Sequence, residues 1–284
     1  MSSPAILRLT CRDAVGVLAR ITGVVAQSGG NLLEVNQYTD KGSGWFFTRL
    51  LIEPSRPDWS LEAFREAVAP LAADLQADWS VSLATRRTRT VILVSREDHC
   101  LADLLWRWRS GEMGIQVAAV ISNHESCRHL VEREGIPFEY IDFSGDRDGA
   151  FRKLAELLRS QQAELVILAR FMQILPDWLC QEYAARVINI HHSFLPAFVG
   201  ANPYKKAFER GVKLIGATCH YATADLDAGP IIEQQVARVE HYHDPQDLRR
   251  LGRDCERLAL ARGVRYHIEG RVLVHGNRAI VFRD

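Results

Sequence analysis

The chain has 284 residues, with 35 Lys and Arg against 35 Asp and Glu, 47% hydrophobic and 25% charged residues. That is the profile of a soluble globular protein with room for two domains. A neutral chain has no global field for a polyanion, which argues against nucleic acid as a partner, and no stretch approaches the roughly 20 apolar residues of a membrane span.

The start, MSSPAILRLTCRD, lacks the basic flank and apolar core of a signal peptide. The first block runs over 1–84. A strand is predicted over 5–10, and Val17, Leu18, Ile21, Val24 and Val25 then recur at helical spacing until Gly29-Gly30-Asn31 stops the helix. Strands over 32–38 and 45–52 flank a hairpin turn at 40–44, and a helix over 61–75 and a strand over 79–83 follow. The order βαββαβ implies an antiparallel sheet with both helices on one face, a ferredoxin-like domain. The basic run 85–89 reads as a solvated linker, because no aromatic residue interleaves it.

From 90 to 284 strand and helix alternate. Strands are predicted over 90–95, 117–122, 137–141, 165–169 and 187–190, with helices over 101–108, 127–134, 151–161 and 178–183 between them. The strands are continuous apolar runs, so a mostly parallel, Rossmann-like α/β sheet covered by helices is expected, with its ligand at the carboxyl ends of the strands. Asn202-Pro203 reads as a helix cap and Gly211 as that helix's end. Strands over 214–221 and 231–239 add a hairpin, and a helix over 245–262 and a short hairpin at Gly276-Asn277 follow. The six cysteines are scattered, with no CxxC pair, as expected of buried free thiols in a reducing cytoplasm.

The densest polar cluster begins as the fifth of these strands ends, Asn189-Ile190-His191-His192-Ser193. Residues two apart in a strand share a face, so Asn189 and His191 point the same way, as do Thr218 and His220 further on. An acidic loop, Asp225-Leu226-Asp227-Ala228-Gly229-Pro230, comes next. An amide and a protonated imidazole can donate to a developing oxyanion. A carboxylate can orient the imidazole and accept a proton from the nucleophile. The set suits acyl or formyl transfer, and with water as nucleophile no Ser or Cys is needed. Taken singly, each residue is more often a loop hydrogen-bond former than a catalyst, and the clustering brings the two readings level.

The stretches FMQIL (171–175), NIHHSFLP (189–196), GATCHY (216–221) and LDAGP (226–230) resemble the formyltetrahydrofolate-dependent formyltransferase family, in sequence and in spacing. The resemblance implies that Asn189, His191 and Asp227 are catalytic. It also implies that Met172, Gln173 and Leu175 and the loop from Ala224 and Asp225 to Asp227 embrace the pterin, with Thr218 and His220 beside the substrate. Three features resemble the deformylase branch. The loop Ser95-Arg96-Glu97-Asp98-His99-Cys100-Leu101 has no glycine and two acids where a transformylase cradles a phosphate. His192 stands where the transformylase carries Pro. The N-terminal block, with Asp13-Ala14-Val15-Gly16-Val17-Leu18, is similar to an ACT domain. What this implies is a hydrolase of a formamide C–N bond, converting 10-formyltetrahydrofolate to formate and tetrahydrofolate, balancing the one-carbon pool and supplying formate for purine synthesis.

The resemblance implies no cofactor. A metal hydrolase on His191, His192, His220 and Asp227 is disfavoured, since neighbours on an extended chain face opposite ways; no metal is expected. An amino-acid effector such as glycine or methionine at Asp13, Gly16 and Asn31, and a homo-oligomer for which a tetramer fits the family, are further implications of the ACT resemblance.

Overall fold

A computed structural model describes residues 3–195 and 203–283. Contacts divide them into two compact units, one of Met1–Arg86 with Glu269–Leu273 and Ile280–Asp284, the other of Arg87–Ile268 with Val274–Ala279.

The first unit contains β1 (Ala5–Arg12), α1 (Val17–Gln27), β2 (Gly30–Asp40), β3 (Trp45–Pro54), α2 (Leu61–Asp74) and β4 (Asp78–Leu83). This is the predicted βαββαβ order, in one antiparallel sheet ordered β2-β3-β1-β4. Val17, Ile21 and Val25, four residues apart, put one face of α1 into a core shared with Phe64, Val68 and Ala72 of α2. Ser60 caps α2 by accepting from the Ala63 amide. The expected stop at Gly29-Gly30-Asn31 divides differently: Ser28 ends α1, Gly29 turns at φ 72°, and Gly30 already opens β2. A Cβ on Gly30 would lie 2.6 Å from Ile52, so glycine is needed there for close packing.

The second unit continues with β5 (Thr88–Val94), α3 (His99–Ser110), β6 (Ile115–Ser122), α4 (Arg128–Arg133), β7 (Phe138–Tyr140), α5 (Arg147–Ser160), β8 (Leu165–Ala169), α6 (Asp177–Glu182), β9 (Val187–His191), α7 (Pro203–Arg210), β10 (Leu214–Tyr221), β11 (Ile231–Arg238) and α8 (Pro245–Ile268). Its sheet runs β11-β10-β9-β8-β5-β6-β7. Strands β7, β6, β5, β8 and β9 pair in parallel, and β10 and β11 extend the edge antiparallel, as the hairpin reading expects. Val91 to Val94 and all of β8 are buried, which is why these strands read as unbroken apolar runs. β5 takes in Thr88 and Arg89, placed by the sequence reading in the linker, and the Arg89 amide donates to Glu164. α8 runs six residues past its predicted end, because Gly263 does not stop it but lets Cys219 Sγ come close. The expected cap at Asn202 lies outside the described residues, as does Pro196 of the NIHHSFLP stretch. β12 (Val272–His275) and β13 (Arg278–Val281) form the short C-terminal hairpin. All six cysteines are free and buried. Among the described residues, no helix is long and apolar enough to cross a membrane.

Candidate active site

The strand order reverses at β5, and the carboxyl ends of β8 and β9 open on a cavity of about 1020 Å³. Ser95, just past β5, fixes one wall. Its hydroxyl donates to Asn123 Oδ1 at 2.7 Å and accepts from the Met172 amide at 3.0 Å. That bond sets the segment 171–175, whose Phe171, Met172, Gln173, Ile174 and Leu175 all line the cavity. Met172 and Ile174 are more than half exposed, so this is an open apolar wall and not sealed core.

β9 and β10 bring the polar groups together. Asn189 pairs with His220 across the antiparallel ladder. The His220 Nδ1–H donates to the Tyr221 carbonyl at 2.9 Å, so in the neutral ring Nε2 accepts, and the Asn189 Nδ2 amide donates to it at 3.1 Å. This fixes the Asn189 amide with its N–H₂ on the His220 side. His191 Nδ1 lies 3.1 Å from Asp227 Oδ2, and Asp227 Oδ1 lies 3.6 Å from His220 Nε2. His191 Nε2 is buried, lines the cavity through its ring and has no hydrogen-bond partner. Burial pushes the Asp227 carboxyl upward, but the close His191 and His220 imidazoles outweigh it and hold the group well below the usual carboxylate range.

The loop carrying Asp227 is tightly held. Asp227 has φ 55°, a left-handed conformation that Asp tolerates better than most residues and that recurs at functional sites. A Cβ on Gly229 would come 1.9 Å from the Tyr221 carbonyl oxygen, so only glycine lets the loop return. Asn277 Nδ2 donates to the Ala228 carbonyl at 2.8 Å.

The other end of the cavity is charged. Glu256 of α8, 1% exposed, accepts from His99 Nε2 at 2.8 Å and from the Tyr204 hydroxyl at 2.6 Å, with Arg170 Nε 3.3 Å away. Burial raises its carboxyl, and the His99 hydrogen bond with the Arg170 charge more than offsets this. Burial and the nearby Arg170 charge push the His192 imidazole down to about 4, so it is neutral at pH 7. Where a transformylase-type phosphate loop would lie, Glu97 pairs instead with Arg253 at 2.5 Å. Among the described residues, His99, Cys100 and Glu256 form the cluster with metal-ligand spacing. The Arg170 guanidinium beside Glu256 and a thiol pushed well up by burial both oppose a cation there.

Of the predicted site residues, Asn189, His191, Asp227 and His220 converge, and Met172, Gln173 and Leu175 line the same cavity. Three others do not reach it. Thr218 is fully buried, donating to the Ser193 carbonyl and accepting from the Leu195 amide, so it braces the strand end. Ala224 and Asp225 are exposed, and the loop faces the cavity through Thr223, Leu226 and Asp227 instead. In the first unit, the Asp13 amide donates to Gly44 and Gly16 turns at φ 83° before α1. Asn31 pairs with Glu53, eight residues along β3 from the Trp45 that pairs with Arg12, about 26 Å of strand away. The chain therefore does not gather Asp13, Gly16 and Asn31 into one site by itself. Arg170, Tyr204 and Glu256 were missed. Arg170 had a usable signal in its place directly after an apolar strand, whereas Glu256 sits in mid-helix with none.

Comparison with known proteins shows the family. Residues 88–264 match the family model for formyl transferase, and residues 5–58 that for the ACT domain. A formyltetrahydrofolate deformylase of Bacillus subtilis (strain 168) is 46% identical over 278 residues, covering 97% of this chain and 93% of the relative. The crystal structure of a formyltetrahydrofolate deformylase from Pseudomonas syringae pv. tomato str. DC3000 is similar with a TM-score of 0.97 at 48% identity, covering 100% of this chain and 95% of that one. Glycinamide ribonucleotide transformylase 1 from Symbiobacterium toebii has a TM-score of 0.66 at 31% identity, over 69% of this chain and 95% of its own. With an ACT domain ahead of a formyl transferase domain and full-length identity to such relatives, the chain belongs to the formyltetrahydrofolate deformylase family.

Proposed function

We propose that this chain hydrolyses 10-formyltetrahydrofolate to formate and tetrahydrofolate, with Asn189, His191 and Asp227 acting on the formyl group. The observation that carries the reading is the His191–Asp227 pair at 3.1 Å, with His191 Nε2 left unpartnered at a cavity walled on one side by Phe171 to Leu175. The pterin lies against that wall and the Thr223 to Asp227 loop. With its Nδ1 side on Asp227, a protonated His191 presents Nε2–H to the cavity, and this N–H and the Asn189 Nδ2 amide donate to the formyl oxygen as it becomes an oxyanion. Asp227 holds the attacking water and takes its proton in passage to the departing amine nitrogen. His220 positions both Asn189 and Asp227. The chemistry uses side chains alone, so no metal or cofactor is invoked.

The test is incubation of the purified, metal-free protein with 10-formyltetrahydrofolate and no acceptor. Stoichiometric formate and tetrahydrofolate support hydrolysis, and substrate left intact over many hours counts against it.

We also infer an effector and self-association for the ACT unit. The turn before Gly16 is open, with Val15 fully exposed. β2 is an edge strand whose outer backbone groups are open to pairing, and it leaves Val35 exposed on one face and Tyr38 on the other, an edge suited to pairing between copies in a homo-oligomer such as a tetramer. Titration calorimetry with glycine, methionine and other amino acids should give binding heat; no heat from any of them sinks the effector idea.

A further inference from the structure

The Asn189, His191, Asp227 and His220 group leaves the charged end of the cavity without a role. Arg170 follows the last residue of β8 and holds φ 64°, a conformation that disfavours any side chain but glycine's. Such strain persists where the surrounding structure holds it for a purpose. Its side chain is 13% exposed, yet Nε and Nη1 have no hydrogen-bond partner. Glu256 does not satisfy them, because its carboxylate already accepts from His99 and Tyr204 and its 3.3 Å approach to Nε is an ion pair without hydrogen-bond geometry. Buried donors left unmade in a cavity wall point to a missing acceptor.

The chemistry of that acceptor follows from the donor. A guanidinium fork matches the paired oxygens of a carboxylate or a phosphate, and Glu97 and Glu256 in the same cavity disfavour the more highly charged phosphate. On the proposed reading of the activity, on which this inference rests, one small carboxylate is made here. The water oxygen bonds to the formyl carbon and the C–N bond breaks with its electron pair passing to nitrogen, which takes one water proton. The acid formed gives its second proton to solvent and remains as formate, a monoanion. The cavity carries the complementary balance: Arg170, Lys205, Arg249 and Arg253 oppose Glu97, Asp227 and Glu256, an excess of one positive charge. We propose that Arg170 forms a carboxylate subsite, distinct from the oxyanion donors, that holds product formate beside His191 and His192.

The folate's glutamate carboxylates are a second source of the same chemistry, and glutarate stands in for them in the test. Sodium formate is titrated into the wild-type protein, following saturation transfer from protein to the formate proton and inhibition of tetrahydrofolate release. Formate should receive saturation and inhibit. Arg170→Gln should weaken both effects about tenfold, as expected for loss of a charge-assisted pair, while glutarate acts equally on both proteins. Arg170→Lys, keeping the charge without the fork, should fall between. Tetrahydrofolate binding to each variant shows that it is folded. The proposal is overturned if wild-type protein transfers no saturation to formate, if a folded Arg170→Gln variant binds formate unchanged, or if glutarate is the ligand that weakens. Should neither variant fold, a crystal of the wild type with formate decides: oxygens on Arg170 Nε or Nη1 support the subsite, and formate only elsewhere overturns it. Formate binding at Arg170 without deformylation would sink the activity and leave the subsite standing; deformylation without formate at Arg170 would do the reverse.

Discussion

Asp227 brings together two imidazoles and a left-handed backbone, and on the proposed mechanism the attacking water, so its substitution separates charge from shape. Asp227→Asn keeps the size and removes the charge, and should cut kcat by about 10²–10⁴ while leaving tetrahydrofolate binding near normal. Steady-state rates and a binding titration check this, and near-normal turnover would refute the role. The pH behaviour follows from the direction of the shift. The folded carboxyl titrates below its ordinary value of 3.8. The stability from its pairing is therefore fully present above that value and is lost only as pH falls further, through the folded pKa. Asp227 itself should therefore add no acid limb to the wild-type pH–rate profile between pH 5 and 7, and such a limb traced to its carboxyl would contradict the shift. Asn189, His191 and Asp227 were legible in the sequence because two sit on one strand face and the third in a Gly-Pro turn, arrangements that local spacing encodes. Thr218 shares the face of His220, opposite His191 in the unbroken β9–β10 register, but its hydroxyl is taken up by the Ser193 carbonyl and the Leu195 amide just past the end of β9, partners that strand alternation does not record.

At the level of elements, α8 supplies what the strand ends lack. It brings Glu256 under Tyr204 of α7, and Gly252, one turn earlier, makes room: a Cβ there would meet the Tyr204 hydroxyl at 2.1 Å. Gly252→Ala has to push Tyr204 off Glu256, which overpacks the contact and leaves a buried carboxylate one donor short. The expected loss is about 1–3 kcal/mol of stability, from chemical denaturation, despite alanine's better helix propensity. A more stable variant would show that Tyr204 is not held there. The helix was expected from the sequence over 245–262, but nothing local marked Gly252, because its use depends on a residue 48 positions away in sequence.

On the scale of the whole molecule, the chain end is part of the first unit. Arg49, 3% exposed in β3, pairs with Glu34 at 2.7 Å and donates to the Glu269 carbonyl at 3.0 Å, and Arg8 donates to the Val272 carbonyl. Deleting residues 269–284 leaves a buried guanidinium without one acceptor, so the unfolding free energy from urea titration should fall by about 1–3 kcal/mol; an unchanged value would deny the C-terminal residues that role. By itself the sequence determined the βαββαβ block, the parallel run of apolar strands and the polar residues at the end of β9, because periodicity, turn chemistry and short spacing are local properties. Only the tertiary structure decided that His220 sets the Asn189 amide, that Arg170 stands strained with open donors, and that residues 269–273 and 280–284 belong with the first unit. Each of these depends on groups far apart in sequence meeting in a buried place, where hydrogen bonds must be completed and no local pattern records the partner.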